Sequence, residues 1–293
     1  MTVISATQVK ELRERTGAGM MECKKALEVS GGSLEGAIEE LRKRGIAKAG
    51  NKAARVAAEG AVTIIDKDKQ AAMIEVNSET DFVARDTNFT AFVKAVAETV
   101  LQSQAKDVEQ LATLPLYQAT QTVEEARQAL VAKIGENVQI RRFVLSSANA
   151  GSVGTYIHGN RIGVVVELNV DNKELARDVA MHIAASKPIV ISPEDVPQDI
   201  VAKEKEIYLA QAATSGKPKE IIEKMVVGRL KKYLDEVSLI GQPFVKDPDI
   251  TIGSLLNKHG AKVIAFYRYE VGEGIEKVTE DFKDAVMSQV QGG

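Results

Sequence analysis

Ala71-Ala72-Met73-Ile74-Glu75-Val76-Asn77-Ser78-Glu79-Thr80-Asp81-Phe82-Val83-Ala84-Arg85-Asp86, followed by Phe89-Thr90-Ala91-Phe92-Val93-Lys94-Ala95-Val96, decides how this chain reads. It opens as an apolar strand and closes as an amphipathic helix. The polar connection between them carries an aromatic ring, Phe82, flanked by charges. Buried aromatics normally sit on the strand or the helix, so a phenylalanine midway through the loop is expected to point outward from a rigid mount.

Before this strand, Gly60 to Asp66 and a polar turn at Lys67-Asp68-Lys69 complete a hairpin. After the helix, Val123 to Ile134 is again helical, ends at Gly135, and gives way to an alternating strand, Val138 to Val144. The same order then recurs. Ser152 to Ile157, a turn at His158-Gly159-Asn160 and Ile162 to Val170 form a hairpin, Lys173 to Ala185 a helix, and Ile252 to His259 with Val263 to Tyr269 a helix and a strand. Lys133-Ile134-Gly135 and Val138 match Lys258-His259-Gly260 and Val263 at a constant spacing of 125 positions. We read an internal duplication of two α+β units, each a small antiparallel sheet covered by helices on one face. Glu75 pairs with Glu167 at a spacing of 92, and Phe92 with Leu175 at 83, so the Asp81-Phe82 loop reads as an addition of nine residues to the first copy.

The remaining segments flank or interrupt this core. Residues 1–45 read as three short helices, with a capping-box pattern at Ser5 and Gln8 and an inner stripe of Leu34, Ile38 and Leu41 on the third. Met20 and Met21 at the turn into helix two cannot both point inward, which makes one a candidate contact residue. Residues 46–59, rich in Ala and Lys, read as a helical or mobile linker. The domains expected are then 60–147 for the first core unit, and 148–192 with 236–273 for the second. A helical hairpin at 193–235 interrupts the second unit, with Ile200, Tyr208 and Ala212 facing Ile221, Met225 and Leu230 across Ser215-Gly216-Lys217-Pro218. A final helix, 274–293, carries Val278, Phe282, Val286 and Val290. Leu111 to Thr122 fits no pattern.

With 44% hydrophobic and 27% charged residues among 293, no Trp and a net charge of -3, the composition is that of a globular protein of about two domains. That charge argues against bulk electrostatic binding of nucleic acid. The single cysteine, Cys23, excludes an intrachain disulfide and reads as a packed thiol. No apolar run approaches the roughly 20 residues of a membrane span, and no signal-peptide pattern opens the chain; the expected location is cytoplasmic. Phosphate-loop, dinucleotide, zinc-protease and paired-cysteine motifs are absent. Of the three histidines, His182 reads as structural, and His158 in its turn as a binding residue. A binding protein is favoured over an enzyme.

Thr80 to Arg85, Val9 to Met21, Val131 to Asn137, His158-Gly159, Met181 to Pro188, Gly216-Lys217-Pro218 and Gly241 to Val245 together resemble the bacterial translation elongation factor Ts family, in order over the whole chain. The resemblance implies a guanine nucleotide exchange factor for the GTPase elongation factor Tu, with no catalytic residues and no cofactor of its own. Mg²⁺ and GDP or GTP would belong to the partner. It further implies a ubiquitin-associated-like N-terminal module, a coiled-coil hairpin serving a homodimer or a 2:2 complex, and a C-terminal helical module. Carried over residue by residue, Asp81 and Phe82, between Thr80 and Val83, would enter the GTPase near its magnesium and phosphate site. Arg85 and Asp86 would form a polar rim. Met20, Met21 and Val245 would touch the nucleotide-binding domain, and His158 another part of the partner. An adaptor or chaperone-like protein without exchange activity is the competing reading; it predicts binding without faster GDP release.

Overall fold

The computed structural model describes residues 4–148, 150–213 and 218–276. They divide into two compact units, one formed by residues up to 63, 74–143 and from 270 onward, the other by 64–73 and 144–269. The proposed C-terminal helix lies outside the described residues.

In the first unit, α1 (Ala6–Thr16) starts at the Ser5/Gln8 capping box and stops at Gly17, whose φ of 67° is the left-handed cap conformation that glycine adopts without strain. α2 (Met20–Val29) and α3 (Leu34–Lys52) complete a bundle around Leu12, Cys23, Ala26, Leu27 and Ala37. Cys23 is fully buried, as a packed thiol should be. The inner face of α3 is Leu34, Ala37 and Leu41, while Ile38 is turned toward solvent. α3 does not stop near residue 45. It runs to Lys52, so the first half of the expected linker is helix, because Gly45 lets α3 pack closely on Ala132.

β1 (Glu59–Lys67) and β2 (Gln70–Ser78) form the expected hairpin, followed by α4 (Thr87–Ser103). The stretch that fits no sequence pattern folds as α5 (Val108–Thr113), capped by Asp107 and anchored by the buried Leu111, with Pro115 bridging back to Thr122. α6 (Val123–Ile134) opens on a Thr122/Glu125 capping box and closes on Gly135, and β3 (Val138–Ser147) completes a sheet of order β1-β2-β3. The central strand carries a carboxylate with no exposed surface, Glu75. Its Oε1 accepts from Arg141 at 3.0 Å, Asn77 at 3.2 Å and the Gly272 N–H at 2.8 Å, and its Oε2 accepts from Arg142 at 2.6 Å. A buried charge persists only when it is paired and hydrogen-bonded to this extent.

The second unit repeats the scheme. β4 (Ser152–His158) pairs antiparallel with β5 (Ile162–Leu168), and α7 (Lys173–Ser186) packs on both, so close that a Cβ on Gly154 would stand 2.3 Å from Ala176. α8 (Gln198–Ala213) and α9 (Lys219–Val237) form the helical hairpin. Ala212 and Val226 are its buried contacts; Ile221 faces outward, because α9 starts at Lys219 in a phase that turns Ile222, Met225 and Val226 inward. Its root is tied by backbone bonds from Ile189, Leu239 and Ile240. The sequence reading missed the next element, a small hairpin of β6 (Pro243–Phe244) and β7 (Asp247–Thr251). α10 (Ile252–Lys258) and β8 (Val263–Glu270) close the unit, in a sheet of order β4-β5-β8.

His182 on α7 is fully buried. Its Nδ1 accepts from the Val245 N–H at 3.2 Å and its Nε2 lies 2.9 Å from Gln242 Oε1, so the neutral tautomer carries its proton on Nε2. Burial pushes the imidazole below its ordinary pKa, with the Gln242 bond opposing in part.

Two outcomes are expected. Glu75→Ala should lower the urea-unfolding free energy by about 3 kcal/mol, because two guanidinium groups and the Gly272 N–H lose their shared acceptor. For His182 the folded chain takes up a proton less readily than the unfolded one, so its stabilising bonds are intact above about pH 6.5 and are lost as the pH falls below it. The difference in unfolding free energy between the wild type and His182→Gln should therefore shrink between pH 7.5 and pH 5. A constant difference would refute the buried neutral imidazole.

Candidate functional site

The loop between β2 and α4 is built from both ends. On the strand side, Ser78 Oγ donates to the Thr80 carbonyl at 2.9 Å. Glu136, just past the end of α6, accepts from the Thr80 N–H at 3.0 Å on one carboxylate oxygen and from the Thr80 hydroxyl at 2.8 Å on the other. Beside it, Glu79 accepts from the Asn137 N–H at 2.6 Å and pairs with Arg55. On the helix side, Val83 to Arg85 form one 3-10 turn, and Val83 and Ala84 are buried under it. Asp86 is the N-cap of α4, accepting from the Asn88 and Phe89 N–H groups at 2.8 and 3.2 Å. The side-chain hydrogen bond from Asn88, foremost, holds its carboxyl below the usual range, helped by those backbone donors and opposed by burial.

Between these anchors the chain presents Asp81 and Phe82. Phe82 is 80% exposed, the most open of the large apolar residues in the described chain. Asp81 Oδ2 lies 3.1 Å from the Arg85 guanidinium. The sequence reading grouped Thr80, Asp81, Phe82 and Val83 as contact residues, and the structure divides them. Thr80 and Val83 hold the loop; Asp81 and Phe82 are what it offers. Asp86, read as a rim residue, caps the helix instead.

The other candidates occupy separate elements. Met20 and Met21 open α2, where Gly19 supplies no side-chain cap, and both are exposed, at 59% and 64%. Neither turns inward, because the core facing α2 is filled by Cys23, Ala26 and Leu27. In the second unit, His158 ends β4 at a three-residue turn, Gly159 to Arg161, whose first two residues both have φ of 52° and whose Arg161 N–H donates to the His158 carbonyl at 3.1 Å, the primed geometry that suits a tight hairpin. Its Nδ1 lies 3.3 Å from the Tyr156 hydroxyl, and the two rings stack. Val245 is exposed on the β6–β7 turn, its N–H held by His182. Spacing in the sequence could not reveal Glu136 or His182 as supports, since each acts on a residue more than fifty positions away.

Among the described residues, no group of three or more His, Cys, Asp or Glu side chains is placed to hold a metal ion. A cavity of 410 Å³ lies between the N-terminal helices and α6, with Arg42 and Lys48 on its wall. Those cations are already paired with Glu125 and Glu22. No helix among the described residues is long and apolar enough to cross a membrane.

The family model described as Elongation factor TS matches residues 79–273. Three similar proteins are the Elongation factor Ts of Thioalkalivibrio sulfidiphilus (strain HL-EbGR7), and those of Legionella pneumophila (strain Paris) and Francisella tularensis subsp. novicida (strain U112). The first is 59% identical over 292 residues, covering 99% of each chain. The second is 55% identical over 293 residues, covering 99% of this chain and 100% of its own. The third is 55% identical over 292 residues, covering 100% of both. With identity at this level from end to end, the chain belongs to the elongation factor Ts family of translation elongation factors.

Proposed function

We propose that this protein is a guanine nucleotide exchange factor that binds the GDP form of elongation factor Tu and accelerates GDP release during translation elongation. The observation that carries this reading is Phe82, an aromatic ring 80% exposed on a backbone tied down at both ends. Exchange needs no bond chemistry. It needs a surface that favours the nucleotide-free partner, since a ligand with equal affinity for both states shifts nothing. By reciprocity, the factor by which the protein weakens GDP binding is the factor by which GDP weakens the protein's own binding.

A GTPase grips GDP through a backbone cradle at a helix N-terminus and through a magnesium bridge. Phe82 acts as a wedge between elements of that site, while the Asp81 carboxylate competes for the groups that hold the metal. A small displacement of either removes several charge-assisted contacts together. Met20, Met21 and Val245 add apolar contacts to the nucleotide-binding domain, and His158 reaches another part of the partner. Nucleotide and magnesium stay with the GTPase, and the factor works in the cytoplasm without a cofactor. The N-terminal bundle corresponds to a ubiquitin-associated-like module. The α8–α9 hairpin, which exposes Ile207, Leu209, Ile221 and Val227, serves self-association as a coiled coil.

Release of a fluorescent GDP analogue from purified elongation factor Tu tests the wedge. Phe82→Ala should cost about 2 kcal/mol or more of the interaction, as loss of a central aromatic anchor does, and stimulation at the wild-type level would sink the idea. Asp81→Ala should also slow release while leaving thermal stability unchanged, since its exposed pair with Arg85 is worth at most about 1 kcal/mol. Replacing residues 199–231 by a short Gly-Ser turn should lower the sedimenting mass. An unchanged mass removes the hairpin from self-association.

A further inference from the structure

We propose that Glu136 is a positioning residue for the exchange loop, a carboxylate whose task is to hold Thr80 so that Asp81 and Phe82 are presented in one orientation. The proposal rests on the exchange reading above and adds a residue to it. Glu136 grips Thr80 with both oxygens, one on the backbone N–H at 3.0 Å and one on the hydroxyl at 2.8 Å. Two acceptors on one ionised group fix both the position and the rotation of the residue they hold, and charge-assisted bonds are the strong ones. Thr80 in turn receives the Val83 N–H on its hydroxyl at 3.4 Å, so the clamp reaches across Asp81 and Phe82 to the far side of the loop.

The internal duplication separates this task from the needs of the fold. In both copies the segment after the second helix is tied to the end of the central strand by one side-chain bond. In the first copy the Asn137 N–H donates to Glu79 at 2.6 Å, and in the second the Lys262 N–H donates to Asn169 at 2.6 Å. That tie belongs to the scaffold. At the repeat spacing of 125, the position of Glu136 is taken in the second copy by Ala261, an ordinary core residue that is 3% exposed. The second copy has no outward loop to hold, and it has no carboxylate there. The clamp occurs with the loop and not with the fold, so its purpose is the loop.

The test is a double-mutant cycle in the full-length protein, read by release of fluorescent GDP from elongation factor Tu at subsaturating factor. Glu136→Ala should slow stimulated release about 10- to 100-fold, the scale on which small misplacements of a working group act. Thr80→Val, which keeps the N–H bond and loses only the hydroxyl, should slow it less. In an Asp81→Ala/Phe82→Ala background, adding Glu136→Ala should change the rate by less than about twofold, because a loop without its carboxylate and its ring has nothing left to aim. Amide exchange at Thr80 and Val83 should quicken in Glu136→Ala while the β-sheet amides stay protected, a readout a merely structural role would not confine to the loop. If Glu136→Ala unfolds the unit, Glu136→Gln, which keeps the shape and one acceptor, replaces it in the cycle. Loss of stimulation in Phe82→Ala with none in the Glu136 variant, or losses that multiply independently, overturns the positioning role alone. A silent Phe82→Ala overturns the exchange reading and this role together.

Discussion

A carboxylate with no exposed surface, set in the middle strand of a three-stranded sheet, binds together the elements around it in the first unit. A carboxylate kept away from water, as Glu75 is, has to be surrounded by donors. The donors come from neighbouring Asn77, from Arg141 and Arg142 on β3, and from the backbone at Gly272. The requirement therefore ties β2 to the two arginines of β3 and to the backbone at Gly272. Gly272 is glycine because at φ 71° a Cβ would stand 2.1 Å from the Ala58 carbonyl oxygen. With β2 held this firmly, its last residues become a fixed platform for the loop that follows.

The two copies show how a scaffold gains a working part. Their first helices, α4 and α7, begin alike, with Asp86 capping Phe89 and Asn172 capping Leu175 through the same bond to the third residue. Matched on those caps, Phe89 and not Phe92 is the partner of Leu175. The loop is then an addition of six residues rather than nine, since the strands match at a spacing of 92 and the caps at 86. A helix can be matched to its copy in several phases by hydrophobic pattern alone, and only the cap removes the choice.

Phe82, Val245 and His158 share one construction. Each is an apolar or aromatic group on backbone that a less exposed polar partner or a tight turn has fixed. Phe82 follows a threonine held by Glu136, Val245 hangs its N–H on the buried His182, and His158 ends a strand at a primed turn. Ordering such groups in the free protein removes an entropic cost that would otherwise fall on binding. That explains why a histidine with no access to solvent is found so close to the surface it serves.

Periodicity, capping residues and the repeat spacing were enough to determine the α+β class, the duplicated order of hairpin, helix and strand, the helical hairpin inside the second copy, and Phe82 as the residue out of place. These are local properties, written within a few residues of where they act. The length of α3, the small β6–β7 hairpin and the helix at Val108–Thr113 depended on neighbours far along the chain: Gly45 against Ala132, Val245 against His182, and Leu111 in its core. Tertiary structure alone decided which members of the Thr80 to Val83 group face outward and which hold the loop. The sequence placed an aromatic ring in a polar loop. A carboxylate 56 positions away keeps that loop in place, and no spacing rule connects the two.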